Sequence, residues 1–280
     1  MPIYPLSSIP FIADGCVVDL DPNLSPRHGT VATLWDRIQQ VGVVHIRGTP
    51  ACGKSTLARF LEDHVRTTRP SLPVYRFSWP VLRENDKDNE KLRSFQYRSF
   101  EHSLNFLTGL SQSQIRWQTS RFLLIIDEAQ GSYRYMSLWN DLIKGLSPTS
   151  GPLIVLFSSY GSASDTPLGE IRTPTPIFFS SNQRVSIRRS TQHPDLALLF
   201  SLTEFSDVVA RVCRSYSQDG QAFRLSSELI DYIWELTNGH PAGVRAVLDE
   251  LANSEVSIGC SSILIFICLT KFENLVIEAT

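Results

Sequence analysis

The sequence predicts an α/β fold: a parallel β-sheet with helices on both faces, followed by a small all-helical subdomain. Three observations predict it. Short apolar, β-branched runs alternate with segments whose apolar residues recur every three or four positions. The runs 122–126 and 153–157 are apolar throughout, as strands buried on both faces are. Over residues 201–252 the periodicity is helical. In such a sheet, right-handed crossovers bring the strand C-termini, and any ligand site, to one edge.

Residues 1–29, rich in Pro, Ser and Asp, read as an extended lead-in. Val31, Leu34 and Ile38 then form a helical stripe that feeds an apolar strand at 41–46. That helix either walls a base pocket or only packs. Leu57, Phe60, Leu61, His64 and Val65 mark the next helix, and the alternating stretch 72–79 marks a second strand. After a polar loop at 84–90, a helix follows from the spacing of Leu92, Phe95, Phe100, Leu104 and Leu107. Strand 122–126 comes next, then a helix marked by Trp139, Leu142, Ile143 and Leu146. Strand 153–157 precedes a Ser/Thr/Pro-rich loop at 162–176, and a fifth strand is expected within 177–187.

The last third changes character. Ser201 and Glu204 form a capping box, opening a helix with Phe205, Val208, Val209, Val212, Cys213 and Tyr216 on one face. Leu229, Ile230, Ile233 and Trp234 mark a second helix. Gly239 suits its end, and Pro241 suits the first position of a third, which carries Val244, Val247, Leu248 and Leu251. The expected organisation is a lead-in at 1–29, a core at 30–200, a helical subdomain at 201–253 and a tail at 254–280 that fits neither pattern.

Composition narrows the function. The chain has 280 residues, 42% of them apolar, and a formal net charge of −2. No basic field calls for nucleic acid, although a local groove remains open. The five cysteines (16, 52, 213, 260 and 268) form no C-x-x-C pair and no metal-ligand spacing, which suits a reduced, intracellular chain. No Lys or Arg precedes the first apolar residues, so the start is a poor secretion signal, and 258–269 is too short to span a bilayer. No membrane partner is expected.

The chemistry begins at residues 48–55, Gly48-Thr49-Pro50-Ala51-Cys52-Gly53-Lys54-Ser55, which fit the phosphate-binding P-loop pattern G-x-x-x-x-G-K-[ST]. Gly48 permits a sharp exit from the strand, and Gly53 lets backbone pass close to phosphate. Successive N–H groups meet the positive end of the helix that follows, with Thr56 in its first turn. Lys54 is expected at the β/γ-phosphates and the Ser55 hydroxyl on Mg²⁺. Cys52 is a small filler or an oxidisable thiol.

A second site lies at the end of run 122–126, where Asp127 and Glu128 follow four or more apolar residues, the Walker B pattern. Asp127 would hold Mg²⁺ through its water shell. Glu128 would orient and deprotonate an attacking water. The two adjacent acids tolerate each other through the positive charge of Mg²⁺ and Lys54. Run 153–157 is followed by Ser158-Ser159, either of which is a candidate to touch the γ-phosphate or the water, with Ser159 the catalytic candidate. Arg184, Arg188 and Arg189 are candidate arginine fingers or solvated cations.

With the P-loop, Asp127-Glu128-Ala129-Gln130 and Asn238-Gly239-His240-Pro241-Ala242-Gly243 in place, residues 30–252 resemble the AAA+/STAND group of P-loop ATPases. The resemblance implies a parallel-sheet P-loop NTPase core with a small C-terminal helical lid. It also implies ATP and Mg²⁺ as cofactors, and Pro241 packed on the adenine with His240 close by. The style of the second strand also looks like ATPase modules of fungal and oomycete Crinkler-type proteins. No obvious lid arginine is present, Arg245 being a weak candidate. The expected activity is ATP hydrolysis by in-line water attack, with an unidentified protein partner or self-association through the core. A nucleotide-dependent switch uses the same residues. A helicase-like motor would need a second domain that the helical end cannot supply, and a nucleotide kinase would not need Glu128. No guanine-reading N/T-K-x-D motif is visible.

Overall fold

The computed structural model describes residues 21–79, 100–109, 119–133, 135, 138–159, 179–189, 195–217 and 223–253. The loops expected at 84–90 and 162–176 and the tail at 254–280 lie outside them. So do residues 92–99 of the helix expected around Phe95. Contacts divide the chain into two compact units. The described part of one runs from Arg27 to Leu198; the other joins residues 21–26 to 199–253.

The first unit begins with α1, His28–Val41, which buries Thr30, Val31, Leu34, Trp35 and Ile38. Arg27 precedes it in the left-handed region, and its buried guanidinium donates to the carbonyls of Leu198 at 2.9 Å and Ala197 at 3.0 Å. Gly42, at φ 75°, ends the helix and turns the chain into β1, Val43–Gly48. Helix α2, Lys54–Thr68, follows, then β2, Val74–Ser78, and α3, Phe100–Thr108. Strand β3, Leu123–Asp127, leads into a 3-10 turn, Ala129–Ser132. Strand β4 is Leu153–Ser159, and β5 is Arg184–Val185.

All five strands are parallel, in the order β2-β3-β4-β1-β5. Strand β4, late in sequence, is inserted between β1 and β3. On one face Leu124, Ile126, Ile154 and Leu156 meet Leu104, Leu107, Leu138, Trp139 and Phe179. Alternation sends Val44, Ile46, Ile125, Val155 and Phe157 to the other face, where α1 and α2 pack.

Two elements differ from expectation. The helix expected around Trp139 is a short π-helix, Leu138–Ile143, with Lys144 N–H reaching the Trp139 carbonyl five residues back. The Trp139 indole N–H donates to the Ser132 carbonyl at 3.1 Å and its ring meets Tyr133, so local periodicity yields to one large anchored side chain. Strand β5 is only two residues long because Ser180 and Gln183 form a capping box around the 3-10 turn Ser181–Gln183.

In the second unit, α4 is Leu202–Ser215, α5 is Ser227–Thr237 and α6 is Pro241–Asn253. Glu204 N–H donates to Ser201 Oγ at 3.1 Å, and Ser201 N–H donates back to Glu204 Oε2 at 2.8 Å. Phe205, Val208, Val212, Ile233, Val244 and Leu248 form the core of this unit. Arg245 pairs with Asp249 and with Asp21, at 2.6 Å and 2.7 Å.

Candidate functional site

The loop from β1 to α2 gets its shape from two left-handed residues, Ala51 at φ 59° and Gly53 at φ 83°. Such backbone makes anion-binding concavities of successive N–H groups. For Ala51 the conformation costs about 1–2 kcal/mol, strain of the kind that clusters at ligand clamps. Gly48 has a different reason to be glycine: a Cβ there would lie 2.5 Å from Cys52 Sγ and 2.5 Å from Leu198 Cδ1. Cys52 is fully buried, so its thiol fills space behind the loop rather than facing an oxidant. Thr49, Pro50, Ala51 and Ser55 are exposed, and Gly53 and Thr56 half-buried.

Lys54 is the first residue of α2 and only 6% exposed. Its Nζ donates to the carbonyls of Thr49 at 2.7 Å and Gly48 at 3.2 Å, with Cys52 Sγ at 3.9 Å. The ammonium is therefore folded over the loop, held by oxygens that the loop itself supplies.

Two strand positions over, β3 ends at Asp127, which is 7% exposed and whose Oδ1 accepts the Glu128 N–H at 3.0 Å. Glu128 is left-handed, φ 49°, which turns the chain sharply off the strand into the 3-10 turn. Gln130 Nε2 donates to Glu128 Oε2, and Gln130 Oε1 accepts the Ser159 N–H at 3.2 Å. Ser159 in turn lies opposite Gly48 in the β1–β4 register. The glycine that opens the loop, the tip of β4 and the Asp-Glu pair thus sit on adjacent strand ends.

Ser158 and Ser159 separate cleanly. Ser158 is fully buried, its Oγ 3.0 Å from His45 Nε2 and accepting from the Tyr133 hydroxyl at 3.2 Å. Ser159 is half-buried at the strand tip. His45 is held far below its ordinary value, down to about 3, first by burial and then by the Arg47 guanidinium. It is a neutral, hydrogen-bonded core residue between Trp139 and Phe179.

Sequence reasoning missed Gln130 and His45. Gln130 stands within the quoted Asp-Glu-Ala-Gln stretch, so a signal existed; a lone His in an apolar run carries none. Arg184 and Arg188 are exposed and Arg189 half-buried, on and just after β5. Pro241 belongs to the second unit, as the first residue of α6. His240 Nδ1 accepts the Gly243 N–H at 3.2 Å, so its ring caps that helix, and burial lowers its pKa.

The donor set suits a hard cation. Ser55 offers a hydroxyl and Asp127 a carboxylate, and no group of three or more His, Cys, Asp or Glu side chains could hold a metal among the described residues. Mg²⁺ is commonly bound by one or two protein oxygens together with phosphates and water, so the pair fits it, whereas a dedicated protein cage is not built here.

No protein-family model matches the chain, and no curated protein matches it in sequence. Solved structures do match in fold. A Walker-type ATPase of Pyrococcus abyssi is 15% identical with a TM-score of 0.50, covering 90% of this chain and 73% of its own. Domain III of the Thermotoga maritima replication initiation protein DnaA is 14% identical, with a TM-score of 0.46 over 89% of this chain and 95% of its own. AMPPCP-bound DnaA from Aquifex aeolicus is 13% identical, with a TM-score of 0.43 over 80% of this chain and 61% of its own. The fold of this chain is an α/β parallel sheet with C-terminal helices, similar to that of the Walker-type ATPase. No helix among the described residues is long and apolar enough to cross a membrane.

Proposed function

We propose that the chain binds ATP with Mg²⁺ and hydrolyses it by water attack. The observation that carries this reading is the convergence of three strand ends: Gly48 with its loop and Lys54, Ser159 beside it, and Asp127-Glu128 on the next strand. Loop N–H groups and Lys54 would hold the phosphates, and Lys54 would exchange its carbonyl partners for phosphate oxygens. Ser55 and Asp127 would hold Mg²⁺, which when bound supplies charge neutralisation to the phosphates. Glu128 would accept the proton of the attacking water, and Ser159 would orient the water or the γ-phosphate.

Within P-loop ATPases, we place the chain in the AAA+/STAND group, with the second unit as a lid bearing Pro241 and with a protein partner or a second copy reading the nucleotide state. The Gly239-His240-Pro241 stretch supports this. Phosphate release by wild-type protein beside Lys54→Ala and Glu128→Gln tests the hydrolytic reading. Lys54→Ala should lose nucleotide binding, and Glu128→Gln should bind ATP but barely turn over.

A further inference from the structure

We propose that Gln130 is a positioning residue that holds Glu128 in its working orientation by tying it to the tip of β4; this rests on the hydrolytic role proposed for Glu128. Glu128 needs holding. It is a non-glycine residue in the left-handed region, a conformation that persists only where its surroundings over-determine it. Its backbone is fixed by its N–H to Asp127 Oδ1 and by the Gly131 N–H to its carbonyl, at 3.0 Å and 2.9 Å. Neither bond restrains the carboxylate. Gln130 does.

The Gln130 amide is used at both ends. Its Oε1 accepts a backbone N–H, from Ser159, and only a carbonyl oxygen can do that; this turns Nε2 toward Glu128 Oε2, where only a donor is useful. The carboxylate of a turn residue is thereby fixed against a strand that is itself hydrogen-bonded to β1 and β3. A base held by a rigid element rather than by a loop keeps the alignment that water attack requires, and a misplacement of about 1 Å can cost on the order of 100-fold in rate. Glutamine suits this task better than its near relatives. Glutamate would keep the acceptor for Ser159 but set a second carboxylate against Glu128. Methionine would match the length and lose both bonds.

The test combines turnover, binding and a spectroscopic readout. Gln130→Met and Gln130→Glu, at pH 8, should each lower kcat roughly 10- to 100-fold. Fluorescent-ATP affinity should stay within about twofold of wild type. On a Glu128→Gln background, Gln130→Met should lower the residual turnover no further, because the group it positions is already gone. In nucleotide-free protein, the Gln130 side-chain amide NMR signal, assigned by its loss in Gln130→Met, should move on Glu128→Ala substitution. Wild-type turnover in both Gln130 variants, an equal further loss on the Glu128→Gln background, or an amide signal indifferent to Glu128→Ala would each overturn the inference. If wild-type protein shows no Glu128-dependent hydrolysis, the proposed function itself fails, and the NMR result still reports whether the pairing exists.

Discussion

His45 and Ser158 are joined across the middle of the sheet, with Nε2 of one 3.0 Å from Oγ of the other and both side chains buried. The Tyr133 hydroxyl completes the cluster from the turn that follows Glu128. A buried polar group of this kind is tolerable because it is hydrogen-bonded, and it sets a pH limit on the fold. In the unfolded chain His45 titrates near its ordinary 6.5; in the folded chain burial and Arg47 hold it at about 3. Between those values the unfolded chain carries a proton that the folded chain lacks. Stability is therefore full above about 6.5 and falls as the pH drops toward 3. The loss at pH 5 is ~2 kcal/mol. Urea unfolding at pH 7.5 and pH 5 should show it, and His45→Gln, which cannot titrate, should remove that share of the difference. Equal pH slopes for both proteins would contradict the buried, neutral histidine.

Gly48 is predicted to be intolerant of a methyl group for a steric reason. Gly48→Ala should destabilise the first unit by about 1–3 kcal/mol, since Cys52 and Leu198 must both shift. Cys52→Ala removes one of the two obstacles. The double variant should therefore recover part of the loss, a non-additivity that denaturant titration of the three variants would reveal.

The second unit has its own constrained glycine. Asn238 and Gly239 are both left-handed, at φ 48° and 72°, and together they end α5. A Cβ at 239 would lie 2.8 Å from the Phe200 carbonyl oxygen and 3.0 Å from the Trp234 ring. Gly239→Ala should cost about 2–4 kcal/mol, adding left-handed strain to overpacking. Hydrogen exchange should register the loss in α5 and α6 ahead of β1, β3 and β4.

His240 tests the helix start that follows. Its Nδ1 can accept from Gly243 N–H only when unprotonated, and burial lowers its pKa from 6.5. The cap's contribution to stability is thus full above about 6.5 and is lost as the pH falls through the lowered folded value. His240→Ala should cost about 1 kcal/mol at pH 8, in line with other lost helix caps, with His240→Asn restoring most of it. Thermal melts of the three proteins at pH 8 check this.

Much of this architecture is legible in the amino-acid sequence. The runs 122–126 and 153–157 announce buried strands because parallel strands covered on both faces need no polar residue until they end. Lys54 and the Asp127-Glu128 pair are legible because each stands at a boundary between apolar periodicity and a change of chemistry. Gln130 is different. Its importance comes from Ser159, far away in sequence, and only the insertion of β4 between β1 and β3 brings the two together. The same holds for His45, whose partners come from β4 and the turn after β3. The sequence marks Gly48 as the exit from the strand, yet half of the pressure on it comes from Leu198, a contact that no local pattern encodes. The short β5 and the π-helix at Trp139 show the converse, local periodicity overridden by a capping box and by one anchored indole.

The most direct test of the account is steady-state phosphate release at saturating ATP and Mg²⁺ by wild-type and Glu128→Gln protein, with binding of a fluorescent ATP analogue measured alongside. A positioned general base contributes about 10²- to 10⁴-fold to such a step, so turnover should fall by two orders of magnitude or more. Binding should be unchanged. Equal turnover by the two proteins would contradict Glu128 as the base and with it the proposed hydrolytic site.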